Sequence, residues 1–327
     1  MQTFESIIPD LYPLNDHAFN EIALRLFRFQ ATNNQVYSKY LTYIGVASDQ
    51  VTAVGQIPFL PITLFKSHQV MTGEWNPEVT FISSGTGGQS VSRHHVKSKE
   101  FYLSHAQQIF EDTYGPLTQF HVLCLLPSYL ERTGSSLVAM ANHFIAESQS
   151  MKSGFFLNDL DRLAGVLEGP ADDRQVLLLG VTFALLDLAE QYELDLSRCV
   201  VMETGGMKGR RPEVTRQELH EILGKNLNAG QIHSEYGMTE LLSQAYSTGG
   251  GLFRCPSSMR VILKEVNDPF SPEIRTSGII NIVDLANIHS CAFIETQDLG
   301  RIDHRGHFEV LGRMDASDAR GCNLLVE

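Results

Sequence analysis

Val79-Thr80-Phe81-Ile82, running on into Ser83-Ser84-Gly85-Thr86-Gly87-Gly88-Gln89-Ser90-Val91-Ser92, decides how this chain is read. An extended apolar entry leads into a loop built of Ser, Thr and Gly. Such a loop brings backbone N–H groups and short hydroxyls to one point in space, which suits an anion such as a phosphate. It is not a Walker loop, because Gly88 is followed by Gln89 where that motif needs Lys. Nor is it a dinucleotide fingerprint, since Gly85, Gly87 and Gly88 are wrongly spaced and no helix with an apolar stripe starts inside them. The same residues would also make a hairpin turn, and the stretch by itself leaves both uses open.

Outward from this loop the chain alternates between strand-like and helix-like patterns. Apolar residues recur at helical spacing over 18–41, and 97–113 and 135–148 also read as helices. Continuous apolar runs at 121–126, 176–181 and 199–202 read as strands, the last ending in Glu203-Thr204-Gly205-Gly206. A helix follows 176–181 as far as residue 190. Pro58 and Pro61 keep 57–62 extended. This rhythm predicts an α/β fold with a mostly parallel sheet and helices packed on it, with binding sites at the carboxyl ends of the strands. From about Gln244 the texture changes to short β-like runs (259–264, 278–283, 291–294, 307–311), which predicts a smaller, more antiparallel portion.

Composition narrows the function classes. The chain has 327 residues, enough for a large core, and hydrophobic content of 43% with charged content of 19% fits a folded enzyme or binding protein. Lys+Arg 25 against Asp+Glu 38 gives a formal charge of −13, which disfavours a sequence-independent nucleic-acid binder and a polybasic membrane surface. The five cysteines (Cys124, Cys199, Cys255, Cys291 and Cys322) are widely spaced and form no CxxC pair, so neither a disulfide framework nor a zinc site is expected. A reducing cytoplasm is the expected compartment, with no signal peptide and no membrane span.

Two further constellations carry chemistry. Residues 231–235 look like a strand, and Tyr236-Gly237-Met238-Thr239-Glu240 follows at its carboxyl end. An aromatic ring can stack on a flat base, a hydroxyl can donate to a phosphate and a carboxylate can hold Mg²⁺. The alternative is a helix N-terminus capped by Thr239 or Ser234. Next, 296–303 reads as an acidic turn between two β runs. There Asp298 could accept both hydroxyls of a ribose or bond its own backbone. Gly312-Arg313 and Arg320-Gly321-Cys322-Asn323 follow.

In their order these motifs resemble those of the adenylate-forming superfamily of acyl-CoA synthetases, luciferases and peptide-synthetase adenylation domains. Residues 57–66, the Pro127-Ser128-Tyr129-Leu130-Glu131-Arg132 stretch, Gly205-Gly206-Met207-Lys208-Gly209-Arg210 and the terminal Arg320-Gly321-Cys322-Asn323-Leu324 resemble, more narrowly, the acyl-protein synthetase of bacterial luminescence, the LuxE family. The phenylacetate-CoA ligases are the nearest alternative.

The resemblance implies ATP-dependent activation of a carboxylic acid, expected to be a fatty acid, as acyl-AMP. Ser83, Ser84, Gly85, Thr86, Gly87 and Gly88 would hold the ATP phosphates. Gly205 and Gly206 would line an adenine pocket on which Tyr236 stacks, with Gly237 beside it. Thr239 would contact phosphate, Glu240 would bind Mg²⁺, and Asp298 and Arg313 would hold the ribose. Full-length superfamily members carry roughly another hundred residues after the Gly-Arg hinge, including a catalytic lysine. The expectation here is a large domain over residues 1–312 without that C-terminal domain, and a short tail, 313–327, carrying Cys322. Lys208 and Arg210 are the candidates for the missing cation, with plain surface charges as the alternative reading. Cys322 is the candidate acyl acceptor, with a buried, inert thiol as its alternative, and a reductase or carrier protein would take the acyl group onward. The competing functions are an acyl- or aryl-CoA or carrier-protein ligase, and a non-catalytic nucleotide- or acyl-binding subunit. His94 and His95, which follow the phosphate loop, could touch phosphate or the acyl carboxylate, with a paired surface His as the safer reading.

Overall fold

The computed structural model describes residues 14–84, 90–126, 134–170, 172–205, 214–268 and 273–314. The chain divides into two compact units, one from Pro77–Phe253 and the other from the chain on either side of it. The flanking unit opens with α1 (Asp16–Asn33), whose N-cap Asn15 accepts from the Ala18 N–H, and α2 (Gln35–Tyr43). The two helices meet at Asn34. Its side-chain oxygen caps α2 by accepting from the Val36 and Tyr37 N–H groups, and its amide donates to the Ser290 carbonyl. β1 (Leu60–Pro61) and the short α3 (Leu64–Ser67) complete this part.

In the central unit β2 (Val79–Ile82) and β3 (Arg93–Val96) form an antiparallel hairpin, with Ile82 opposite Arg93. There follow α4 (Lys99–Tyr114), β4 (Phe120–Leu125), α5 (Ser136–Ser148), β5 (Gly154–Phe155), α6 (Leu160–Leu167) and β6 (Gln175–Val181). Then come α7 (Thr182–Gln191), β7 (Val200–Thr204), α8 (Arg216–Asn226), β8 (Ile232–Tyr236) and β9 (Ala245–Ser247). The sheet order is β5-β4-β6-β7-β8-β9, parallel throughout except for β9. Every residue of β4 and β7 is buried, as expected of parallel strands covered on both faces. Phe110 of α4 lies 5.6 Å from Phe120 and 5.1 Å from Phe144 of α5, ring centre to ring centre. Each such buried ring contributes roughly 1.5–3 kcal/mol.

The flanking unit resumes with β10 (Met259–Lys264), β11 (Ser277–Asp284), β12 (Phe293–Ile302) and β13 (Phe308–Arg313). Its sheet runs β1-β12-β11-β10, with β13 also on β12; only the β1 pairing is parallel. Pro61 is tolerated because β1 is an edge strand.

Two expectations change. The β-rich portion begins after Phe253, since β9 still belongs to the parallel sheet, and it is completed by the N-terminal segment. Residues 296–302 are not a turn but the second half of β12. Gly300 sits at a bulge where an added Cβ would lie 2.7 Å from Ile280 and 2.8 Å from the Glu309 carbonyl, so it admits neighbouring strands rather than reversing the chain. Among the described residues, no helix is long and apolar enough to cross a membrane.

Candidate functional site

β2 and β3 pair on either side of the Ser83 loop, whose residues 85–89 lie outside the described ones. At its base the Ser83 N–H donates to the Ser92 carbonyl, and the Ser92 N–H donates to Ser83 Oγ at 2.9 Å. The Ile82 N–H donates to the Gly134 carbonyl at 2.7 Å, tying β2 to the segment that leads into α5. Ser84 is exposed. Gly85, Thr86, Gly87, Gly88, Gly206, Lys208, Arg210 and Cys322 lie outside the described residues.

At the carboxyl end of β7 the apolar run gives way to Glu203, Thr204 and Gly205. Neighbouring strand residues face opposite sides, and each of these two side chains finds its own partners. Glu203 is 2% exposed and accepts from Arg216 Nε at 3.1 Å, with His220 Nε2 at 3.6 Å. Arg216 is the first residue of α8, placed there by a capping box in which Thr215 and Glu218 satisfy each other's backbone N–H groups. Its guanidinium also lies 5.0 Å over the Phe253 ring. Burial by itself would raise the Glu203 carboxyl. His220, Arg216 and Ser234 outweigh it and hold the group below the usual carboxylate range. Gly205 has φ +72° and is exposed, and its carbonyl accepts from Thr182 Oγ1 at 3.1 Å.

On the opposite face, Thr204 pairs in register with Glu235 of β8, and its hydroxyl donates to Glu235 Oε2. Burial pushes the Glu235 carboxyl up to about 7, opposed by the Thr204 hydrogen bond and reinforced by the charge on Glu203. Two buried carboxyl groups on adjacent strands thus titrate apart: Glu203 is held below the usual carboxylate range, while Glu235 gives up its proton only around neutrality.

β8 ends at Tyr236 and no helix follows, so the helix-cap alternative for Thr239 falls away. Gly237 to Glu240 form a turn, with the Leu241 N–H donating to the Met238 carbonyl. Gly237 is exposed, and an added Cβ would lie 2.3 Å from Glu235 Oε1, so the backbone at the strand end is bare because the Glu235 carboxyl occupies the side-chain space. The Gln244 side chain lies beside it, and its buried oxygen has no hydrogen-bond partner among the described residues. Tyr236 is 8% exposed, its ring 5.7 Å from that of Phe253. Thr239 is half-buried and Glu240 is 5% exposed.

The structure therefore brings Gly205, Tyr236, Gly237, Thr239 and Glu240 to the carboxyl ends of two adjacent strands. It corrects the reading of His94 as a surface residue: the ring is 1% exposed, and its Nδ1 lies 2.8 Å from the Thr239 carbonyl. His95, on the other face, bonds Thr80 Oγ1 at 2.9 Å. In the flanking unit Asp298 and Arg313 are cross-strand partners of β12 and β13, and Arg313 is exposed. Sequence reasoning missed Glu203 and Glu235, and for His94 it missed the burial and the tie to Thr239. A charged residue closing a strand that is otherwise wholly apolar was the available signal for the first.

The bare backbone at Gly205 and Gly237 and the hard oxygen donor of Glu240 suit a flat ligand with an associated divalent cation.

No family model matches the sequence, and no curated protein is similar to it in sequence. Solved structures are similar in fold. A 2-hydroxyisobutyryl-CoA ligase in complex with 2-HIB-AMP and CoA has a TM-score of 0.64 at 13% identity, covering 94% of this chain and 71% of that one. ATP-bound MatB from Rhodopseudomonas palustris has a TM-score of 0.53 at 16% identity, covering 73% of this chain and 49% of that one. O-succinylbenzoate Coenzyme A synthetase from Bacillus subtilis, in complex with AMP, has a TM-score of 0.50 at 17% identity, covering 72% and 49%. The chain spans about half the length of the last two. The likeness establishes the fold, which is the mixed α/β fold of adenylate-forming enzymes.

Proposed function

We propose that this protein uses Mg-ATP to activate a carboxylic acid, with a fatty acid as the leading candidate, as acyl-AMP, and then transfers the acyl group to a protein thiol. The observation that carries this reading is the convergence of Gly205 with Tyr236, Gly237, Thr239 and Glu240 at the carboxyl ends of β7 and β8, in a fold whose solved examples include ATP-bound MatB and an AMP-bound Coenzyme A synthetase.

In the first step a carboxylate oxygen attacks the α-phosphorus and the bond to pyrophosphate breaks. The barrier is dominated by anion meeting anion, so positioned donors and cations do most of the catalysis. Thr239 and the serines at the hairpin base would orient phosphate oxygens, and Glu240 would hold Mg²⁺, which neutralises charge on the phosphates. The exposed Gly205 and Gly237 backbone would lie against adenine, with Tyr236 beside them. Asp298 and Arg313 are assigned to the ribose, and Lys208 and Arg210 to the cation supplied elsewhere by a lysine.

In the second step a thiolate attacks the acyl carbon and AMP leaves, giving a thioester. Cys322 is the proposed acceptor. Burial raises the thiols of Cys124 and Cys199, and pushes those of Cys255 and Cys291 up to about 12, so these four are poor thiolate nucleophiles. A reductase or carrier protein would receive the acyl group next. Coenzyme A is the second reading, favoured by the CoA-bound ligase that matches 94% of this chain.

The test is incubation with Mg-ATP and radiolabelled fatty acids, followed by a denaturing gel, hydroxylamine treatment and Cys322→Ser in parallel. A hydroxylamine-labile label on the wild type that vanishes in Cys322→Ser is the expected result. Pyrophosphate release stimulated by CoA, with no protein label, moves the reading to a CoA ligase. No reaction in either assay leaves a binding subunit.

A further inference from the structure

We propose that His94 is a positioning residue for nucleotide binding, holding the Thr239 hydroxyl in place through a hydrogen bond from its Nδ1–H to the Thr239 carbonyl. The inference rests on the reading of this turn as part of an ATP site, and assigns a function to a residue outside the motifs themselves.

A carbonyl oxygen only accepts, so at 2.8 Å the Nδ1 of His94 must carry the proton. On the buried face of the hairpin His94 pairs in register with Phe81, and both are 1% exposed. The turn needs such a tie, because Thr239 lies in neither helix nor strand and the repetitive backbone bonds that fix such elements do not reach it.

A second imidazole holds the far end of the same segment. His105 of α4, the helix that follows β3, has Nε2 2.8 Å from Ser243 Oγ, and burial pushes its own titration down to about 3, so the ring is neutral across the working range. Residues 239–243 are therefore anchored at both ends to the continuous β3–α4 segment. That segment also closes the base of the Ser83 loop through Ser92. One rigid support thus sets the loop and the turn together, although the bonded residues His94 and Thr239 are 145 positions apart.

The test is calorimetric titration of Mg-ATP into wild type, His94→Asn, His94→Gln, Thr239→Ala and the double variant His94→Gln/Thr239→Ala. Asn places an N–H close to the position of Nδ1, whereas Gln carries its donor one bond farther out, so both are polar but only one can restore the bond. His94→Gln should weaken ATP binding about tenfold, the scale of one lost buried hydrogen bond, while His94→Asn stays within about threefold of wild type. If His94 acts through Thr239, the His94→Gln loss should shrink to about twofold or less in the Thr239→Ala background. Equal affinities for the Asn and Gln variants, or losses that simply multiply in the double variant, would overturn the proposal. A wild type that does not bind ATP would overturn the functional reading and this inference together, whereas a binding wild type with an unaffected Gln variant would overturn the inference alone.

Discussion

The two ends of the parallel sheet both carry a histidine and carboxylates, but in different surroundings. At the amino end, His121 of β4 bonds Ser150 through Nδ1 at 2.5 Å and Asp172 through Nε2 at 2.8 Å, and Lys152 Nζ reaches the same carboxylate at 2.9 Å. The Asp172 and Lys152 side chains are 45% and 38% exposed, so water and salt compete with every contact they make. At the carboxyl end, Glu203 and Glu235 are buried, and each charge or proton there is fixed by the protein alone. The first arrangement pins two loops together; the second holds charge in a set place at an open backbone edge. The lesson is that the residue types alone do not mark a site. A Ser, His and Asp in hydrogen-bonding reach form a structural pin whose charged members stand in solvent, whereas buried acids beneath bare glycines fix the shape of a candidate binding edge.

The strongest way to break this comparison is to remove the buried charge. Glu203→Leu suits the strand but leaves Arg216 and His220 facing an apolar side chain, and should cost about 4 kcal/mol of stability, the scale of breaking a buried ion pair. Urea unfolding at neutral pH measures it; a loss below about 1 kcal/mol would mean that the carboxyl-end charges are as dispensable as surface ones.

Glu235 sharpens the contrast, because it predicts a gain. Its folded carboxyl titrates at about 7 and starts from 4.5 in the unfolded chain, so folding favours the protonated form. The sign follows: stability is highest below the unfolded value, falls as pH rises from there to about 7, and is flat above. A shift of this size corresponds to about 3 kcal/mol. Glu235→Gln, which still accepts from Thr204, should therefore stabilise the protein by about that amount at pH 8 and change little at pH 4. Chemical unfolding at the two pH values decides it, and equal effects at both would show that Glu235 is not held neutral.

Much of the fold was legible in the sequence, and little of this network was. Uninterrupted apolar runs such as residues 176–181 announce strands buried on both faces, and the helix at 135–148 matches α5 to within a residue. The second half of β12 was misread because Asp298 and Gly300 are turn formers locally, and only the close approach of β11 and β13 explains the glycine. The candidate site was legible only as motifs: Gly205 and Tyr236-to-Glu240, which the fold brings together, stood out by composition. What joins them was not. Thr204 meets Glu235 through strand register and His94 meets Thr239 through packing, and neither is written in the local sequence of the residues concerned.

Gly237→Ala tests the bare edge itself. The new methyl would stand 2.3 Å from Glu235 Oε1, so the carboxyl must swing away from Thr204 or the turn must shift. A cost of about 1–2 kcal/mol in stability is expected from overpacking of this kind. The combination Gly237→Ala/Glu235→Ala should recover most of it, since the obstructing carboxyl is gone; failure to recover would mean that the glycine answers to backbone conformation instead.

The smallest effect belongs to the amino end. Lys152, the Arg174 backbone N–H and His121 hold Asp172 well below the usual carboxylate range. A depressed carboxyl contributes stability above its unfolded value and loses it as pH falls through the folded one, so any contribution is present at pH 7 and fades in acid. Its exposure limits that contribution, because a surface pair exchanges one set of hydrogen bonds for another with water. Asp172→Asn, which retains an oxygen for the His121 and Arg174 donors, should lower the unfolding midpoint only slightly, and the difference should shrink in about 1 M salt as the Lys152 pairing is screened. ATP affinity should not change at all. A loss of affinity comparable to that of His94→Gln would show that the two ends of the sheet are coupled, and that the separation between a structural end and a binding end is wrong.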